Sequence, residues 1–520
     1  MQRLKDIFTA IKEFLNIERS LAYVCVLLSA YTLFAFHLPF FSYIADNVNG
    51  DFNGVWIIIS IAIVMFALNY FVYYLLLYLG RVVGKYIIAI TLVVDAICLY
   101  FINTYNVLID RSMMGNVLNT QFSESSSFFS WTMVLVALLL GVVPSILLIR
   151  KSINYGSIGR LFANIGIALL VILGAVASNY KNTFWIDRHA PIIGSKIMPW
   201  SYTINSIRYY NHQKRTNQKE ILLPDVEEAT DSKDICVLII GESARSQNFS
   251  LYGYERETNP LMKGDGVTAI KARASHTNTL NAVKAILQHK PSGDKLYEIL
   301  PNYLARNGVD VVWRRSNWGT PPLHVKKEYT KDRLKKRYPE ADSSHDGILF
   351  HALKEEIMAS DSTKIFIGLH TYTSHGPEYY SNTPEEFKRF TPECKTVEMA
   401  NAKYEELINA YDNTIIYTDY LVHSVIEMLK REFPDRRSCV IFISDHGESL
   451  GEGGLYMHGV PMSTAPAEQL DIPFIVWTSD NAKVKVKEID CAGHYHIYHS
   501  VLRFLGLQTP FFDETKNIFE

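Results

Sequence analysis

The 520-residue chain is short of charge where charge is usually found. Between Leu21 and Tyr180 only 11 of 160 residues are Asp, Glu, Lys or Arg, against 93 in the other 360. That division excludes a purely soluble enzyme. The net charge is only −2, which excludes a nucleic-acid binder that works by bulk positive charge. Six cysteines in so long a chain exclude a small disulfide scaffold. With 48% hydrophobic residues the chain is not disordered, and it has no internal repeat or low-complexity tract.

What fills the charge-poor part is a set of apolar runs: Leu21 to Phe41, Val55 to Gly80, Tyr86 to Tyr105 (broken only by Asp95), Trp131 to Ile149 and Leu161 to Ser178. Each is long enough to cross about 30 Å of hydrocarbon as a helix. The first is too long for a cleaved signal peptide, lacks a small-residue cleavage site and is followed by four more runs. Asp95 sits mid-span, where a carboxylate faces protein or water. A hydrogen-bonded structural Asp is the expectation there, and an ion pathway the alternative.

Basic residues near span ends favour the cytoplasmic side. Arg3, Lys5, Lys12, Arg19, Arg81, Lys85, Arg150, Lys151 and Arg160 lie on one side, and the short loops 42–54 and 106–130 on the other hold only Arg111. The N-terminus is therefore expected inside, and after five crossings everything beyond residue 180 outside.

Residues 181–230 are polar and aromatic and end in the charged run PDVEEATDSKD, which suits a bridging element and linker. From residue 231 to 520, strand-length apolar runs (ICVLIIG, VDVVW, KIFIGLH, CVIFISD, IPFIVW) alternate with helical patterns such as Tyr404 to Arg431. This predicts a mostly parallel sheet covered by helices on both faces. Ligands of such sheets gather beyond the carboxyl ends of the strands. Two strands run directly into metal-type ligands there, one into Glu242 and one into Asp445-His446-Gly447-Glu448.

Adjacent Asp and His can also be an ordinary turn or helix cap. A third element, Ala274-Ser275-His276-Thr277-Asn278-Thr279, leads into the helical pattern LNAVKAIL, where a hydroxyl meets the positive end of a helix dipole or simply caps it. His375 in TSHGP and His458 in MHG add imidazoles in loops.

GESARSQNFSLYGYERETNP, the threonine-containing helix start, LHTYTSHGP, YDNTIIYTDYLV and SDHGESLGEGGLYMHG together resemble the phosphoethanolamine transferases of Gram-negative inner membranes, in the alkaline phosphatase and sulfatase superfamily. The resemblance runs through the whole chain. It implies a five-helix transmembrane domain (1–180) with a periplasmic sulfatase-like α/β domain (231–520). It makes Glu242, Thr279, Asp445 and His446 the ligands of a catalytic Zn2+, with Thr279 the nucleophile. His375 and His458 match substrate-phosphate histidines or a weaker second zinc site.

Asn116, Thr120 and Glu124 match the spacing of residues near the lipid headgroup, a stretch that otherwise reads as an amphipathic interfacial helix. Glu448 matches an acidic position beside the site, and Glu124 and Glu448 are the carboxylates available for an ethanolamine ammonium. The implied donor is phosphatidylethanolamine and the implied acceptor lipid A, core sugar or another surface glycan, a modification that weakens cationic antimicrobial peptides. A glycerol-phosphate transferase, a phosphodiesterase and a receptor with a decayed domain are the alternatives.

The chain departs from the resemblance in places. Ser275 and Ala285 stand where relatives carry cysteines, and Cys394 faces Ala402 in place of its partner. Cys236 and Cys439 each lie six residues before a proposed ligand, so they become neighbours if their strands pair. Buried free thiols are expected, while a Cys394–Cys491 pair depends on the fold. In WRRSNWGTPPLH, Asn317 is a candidate substrate contact, but the lysine that relatives place close behind it is missing until Lys326.

Overall fold

The computed structural model describes residues 16–119, 126, 128–216, 220–291, 293 and 295–520. Thr120 and Glu124 lie outside the described residues. The chain divides into two compact units, one of residues up to 118 with 129–209, the other of 119–128 with 210–520.

The first unit is helical. Helices α1 (Leu21–Phe36) and α2 (Leu38–Asn47) meet at a 64° bend, followed by α3 (Phe52–Tyr105), α4 (Trp131–Arg150) and α5 (Ile158–Ser178). At 1.5 Å per residue the 54 residues of α3 would reach about 80 Å, far beyond one bilayer core. Arg81, at φ 47°, ψ −111°, interrupts it, so α3 is two spans and five membrane-crossing segments result.

The first span is not a straight run to Phe41. It turns at His37, whose ring bonds Thr32 O (2.8 Å) and Met198 O (2.9 Å), and Pro39 opens the new helix, where its missing N–H costs nothing. Asp95 is buried and accepts a hydrogen bond from Tyr202 Oη at 3.0 Å, as expected of a structural carboxylate. Residues 183–216, expected to bridge, form helices α6 (Thr183–Lys196) and α7 (Trp200–Thr216).

The second unit is built on eight strands: β1 (Asp234–Gly241), β2 (Thr268–Arg273), β3 (Asp310–Arg315), β4 (Lys327–Thr330), β5 (Lys364–His370), β6 (Arg437–Ser444), β7 (Asp471–Thr478) and β8 (Ala492–Gly493). Their order is β8-β2-β7-β6-β1-β5-β3-β4. Only β7 runs against the others, pairing antiparallel with β2 and β6. Strand β1 is buried along its whole length, as a central strand covered on both faces must be.

Side chains alternate across the sheet. Cys236, Leu238 and Ile240 enter one core with Val283, Ile286, Tyr303, Val501 and Leu502. Ile235, Val237 and Ile239 point the other way, toward the face that the 29-residue helix α9 (Tyr404–Glu432) covers. Cys236 and Cys439 are register partners on β1 and β6, and all six cysteines are free. Burial pushes the Cys439 thiol well above its ordinary range.

Candidate active site

Strands β1 and β6 run side by side and parallel, so their carboxyl ends deliver the next residues to one place. Glu242 follows β1, and Asp445 and His446 follow β6; all three are buried. The turn after β1 places Ser243 at φ 54°, a conformation that a non-glycine residue adopts only when held. Its N–H donates to Asp445 Oδ1 (3.0 Å), its Oγ donates to Glu242 Oε1 (2.9 Å), and its carbonyl accepts from Tyr411 Oη (2.7 Å). After β6, a Cβ at Gly447 would lie 2.0 Å from the Glu468 carbonyl oxygen, so only glycine lets the chain pass there.

Thr279 arrives from the other direction. Asn278 caps helix α8 (Thr279–Leu287), its side chain accepting from Asn281 N, and this puts the Thr279 hydroxyl at the first helical position. Thr277 Oγ1 donates to Val460 O at 2.7 Å and ties this turn to the loop that carries His458.

The donor atoms converge closely. Thr279 Oγ1 is 3.3 Å from each Glu242 carboxylate oxygen and 3.3 Å from His446 Nε2. His446 Nε2 is 3.5 Å from Glu242 Oε1 and 3.2 Å from Asp445 Oδ2. Asp445 Oδ1 takes two backbone N–H bonds, from Ser243 and His446, while Oδ2 is buried and accepts no hydrogen bond among the described residues. His446 Nδ1 turns to the Gly447 carbonyl (3.0 Å), which leaves the Nε2 lone pair facing the cluster. Burial lowers the His446 pKa to about 4 against the pull of Asp445, so the ring is neutral, the form that ligates metals.

Glu242, Asp445 and His446 form one group able to hold a metal ion, and Glu242, His375 and His458 form another. The His446 and His458 rings lie 4.1 Å apart and those of His375 and His458 5.7 Å apart. Asn317 Nδ2 donates to Glu242 Oε2.

Glu448 is fully buried, 3.2 Å from His458 Nδ1. Burial raises its carboxyl to about 8 against the pull of His446 and His375, so near neutral pH it carries a proton. Glu448 thus lies behind His458 rather than on an open surface. Asn116 belongs to a short helix, Arg111–Asn119, of the first unit.

Three supports were not read from the sequence: Ser243, Gly447, and the buried Arg245, whose guanidinium holds Glu452 at 2.6 Å and bonds Asn248. Ser243 and Arg245 stand beside Glu242 in GESAR, and that adjacency was the available signal.

A parallel sheet with carboxylates, imidazole and a helix-capped hydroxyl at its strand ends defines a sulfatase-like fold carried by a membrane-embedded unit. The sulfatase family profile matches residues 235–507, and the profile described as phosphoethanolamine transferase EptA/EptB matches residues 58–214. The chain is 32% identical over 490 residues to the phosphoethanolamine transferase EptA of Helicobacter pylori, covering 91% of each. It is 29% identical over 466 residues to the phosphatidylethanolamine transferase Mcr-1 of Escherichia coli, covering 84% of each.

Among solved structures it resembles the integral membrane lipooligosaccharide phosphoethanolamine transferase A of Neisseria meningitidis. The TM-score there is 0.86 at 26% identity, over 96% of this chain and 99% of the other. The chain belongs to the phosphoethanolamine transferase family and is an integral membrane protein.

Proposed function

We propose that the protein moves phosphoethanolamine from phosphatidylethanolamine to an acceptor outside the cytoplasm (lipid A, core oligosaccharide or another surface glycan) through a phosphoethanolamine-threonine intermediate on Thr279. The observation that carries this reading is the Thr279 hydroxyl, held 3.3 Å from both Glu242 and His446 at the start of a helix. Donor and acceptor class draw support from the names of the relatives, a phosphatidylethanolamine transferase and a lipooligosaccharide phosphoethanolamine transferase.

Zinc is the proposed metal. Nitrogen and oxygen ligands at about 2.0–2.2 Å around a tetrahedral ion stand roughly 3.3–3.6 Å from one another. The contacts of Thr279 with Glu242 and His446, and of His446 with Glu242 and Asp445, span 3.2–3.5 Å. The unbonded, buried Asp445 Oδ2 is the atom that a cation would satisfy. When bound, zinc supplies a Lewis acid that lowers the pKa of the hydroxyl and offsets charge on phosphoryl oxygens.

In the reaction, Thr279 Oγ, deprotonated before attack and released again in that form, makes a bond to phosphorus as the bond from phosphorus to the diacylglycerol oxygen breaks. In this reading His375 and His458 give that oxygen its proton and take one from the acceptor afterwards. Backbone N–H groups in the first turn of α8 face the anionic phosphoryl group. Attack by the acceptor oxygen on the same phosphorus then frees Thr279.

The excess of basic residues on one side of the spans supports an inner-membrane protein with a cytoplasmic N-terminus and a periplasmic catalytic domain from about residue 231, joined through residues 181–230. Incubation of the full chain with zinc, phosphatidylethanolamine and lipid A tests the reading. Lipid A gains phosphoethanolamine while diacylglycerol accumulates. Release of free phosphoethanolamine alone would make the protein a phosphodiesterase, and a phosphoglycerol product would change the donor.

A further inference from the structure

Beside the proposed active site a cavity of about 560 Å³ opens within the second unit, with Asn317 and His375 in its wall. Asn317 bonds Glu242 directly, so the cavity adjoins the cluster that holds Thr279. Three carboxylates line it: Asp332, Asp346 and Glu378. Asp346 is buried and its Oδ2 is taken by Tyr372 N (2.6 Å) and Thr373 Oγ1 (2.7 Å). Asp332 is exposed to solvent in the first turn of a short helix.

Glu378 differs from both. It is partly buried, and among the described residues its carboxylate has neither an ion pair nor a hydrogen bond. Burial already pushes its carboxyl above the usual range. A half-buried carboxylate without a partner costs stability unless something cationic occupies the space before it.

The loop that carries Glu378 is firmly held. Asn382 Nδ2 donates to the His375 carbonyl at 2.8 Å, Ser381 N to the Glu378 carbonyl at 2.9 Å, and the next residue, Tyr379, is buried against the Tyr411 ring at 5.3 Å. The same wall carries the aromatic surfaces of Trp318 and Tyr372, the latter stacked on His375 with centroids 4.5 Å apart. Aromatic faces beside a fixed carboxylate make a site suited to an alkylammonium group.

We infer that Glu378 is the carboxylate that receives the ammonium of the transferred phosphoethanolamine and so selects an amine-bearing donor headgroup over a neutral one. This rests on the transfer reading above, in which the phosphoryl group lies at Thr279. Two carbons separate the phosphate ester from the ammonium, so an ammonium binder belongs near the phosphoryl site, and Glu378 lines the same cavity as Asn317, which bonds Glu242, and as His375, three residues before it on the same loop. Glu448 is already engaged with His458.

The test compares adduct formation on full-length wild type and Glu378→Gln, each with zinc and no acceptor. The donors are phosphatidylethanolamine and its N-acetylated form, in which the ammonium is replaced by a neutral amide. Wild type reacts faster with the donor that carries the ammonium. In Glu378→Gln the rate with phosphatidylethanolamine falls roughly 10- to 100-fold, the loss of one charge-assisted bond, while the rate with the acetylated donor holds, so the preference collapses. Glu378→Asp keeps part of the preference and guards against misfolding of the first variant. An unchanged preference in Glu378→Gln, or an equal loss with both donors, overturns the inference while leaving the transfer reading intact. A wild type that forms no adduct from either donor overturns the transfer reading and this inference with it.

Discussion

Thr279 and His446 lie 167 residues apart in sequence, yet the hydroxyl of one is 3.3 Å from Nε2 of the other. That contact joins the start of a helix to the end of a central strand, and Glu242 and Asp445 complete the cluster. With two carboxylates buried together, a bound cation is what the arrangement calls for.

Removing the metal should therefore abolish transfer reversibly. Chelation gives an inactive protein that zinc restores, and metal analysis finds Glu242→Gln and Asp445→Asn depleted of zinc. Full activity in metal-free protein would contradict this.

Glu448 contacts His458 Nδ1 at 3.2 Å, and in the proposed reaction it acts through that histidine. Glu448→Gln keeps the shape but removes the ionisable carboxyl. Its kcat should fall about 10- to 100-fold, the usual scale for groups that orient site residues, with zinc content and donor KM little changed. A loss of zinc equal to the loss of rate would instead mean that Glu448 only shapes the metal site.

Gly447→Ala places a methyl group 2.0 Å from the Glu468 carbonyl oxygen. The backbone must move, and His446 with it. A destabilisation of about 1–3 kcal/mol or more is expected in thermal or denaturant unfolding, together with loss of zinc. A variant with wild-type stability and zinc content would show that the turn has room to spare.

Cys236 and Cys439 face each other across neighbouring strands as free thiols. Denatured, non-reduced protein should yield six reactive thiols, and reductant should leave the thermal midpoint unchanged. Fewer than six would mean that a disulfide forms.

Much of this was legible in the sequence for a physical reason. A parallel sheet presents the ends of its strands on one side, so Glu242 after one apolar run and Asp445-His446 after another had to meet if β1 and β6 were neighbours. The equal six-residue offsets of Cys236 and Cys439 report the same register.

What stayed hidden depends on side chains meeting across loops. Nothing local marks Glu378 as unpaired, Glu448 as enclosed behind His458, or Gly447 as pressed against a carbonyl. The bend at His37 had a local sign in Pro39, which opens a new helix, but the partner that holds the His37 ring, Met198, lies 161 positions away.

In the proposed reaction Thr279 takes the phosphoethanolamine group. The most direct measurement is the intact mass, with peptide mapping, of wild type and Thr279→Ala after incubation with zinc and phosphatidylethanolamine. A phosphoethanolamine adduct is expected on wild type, mapped to Thr279 and absent from the variant. Zinc-loaded wild type without an adduct and without diacylglycerol release, or an adduct that persists in Thr279→Ala, would contradict it.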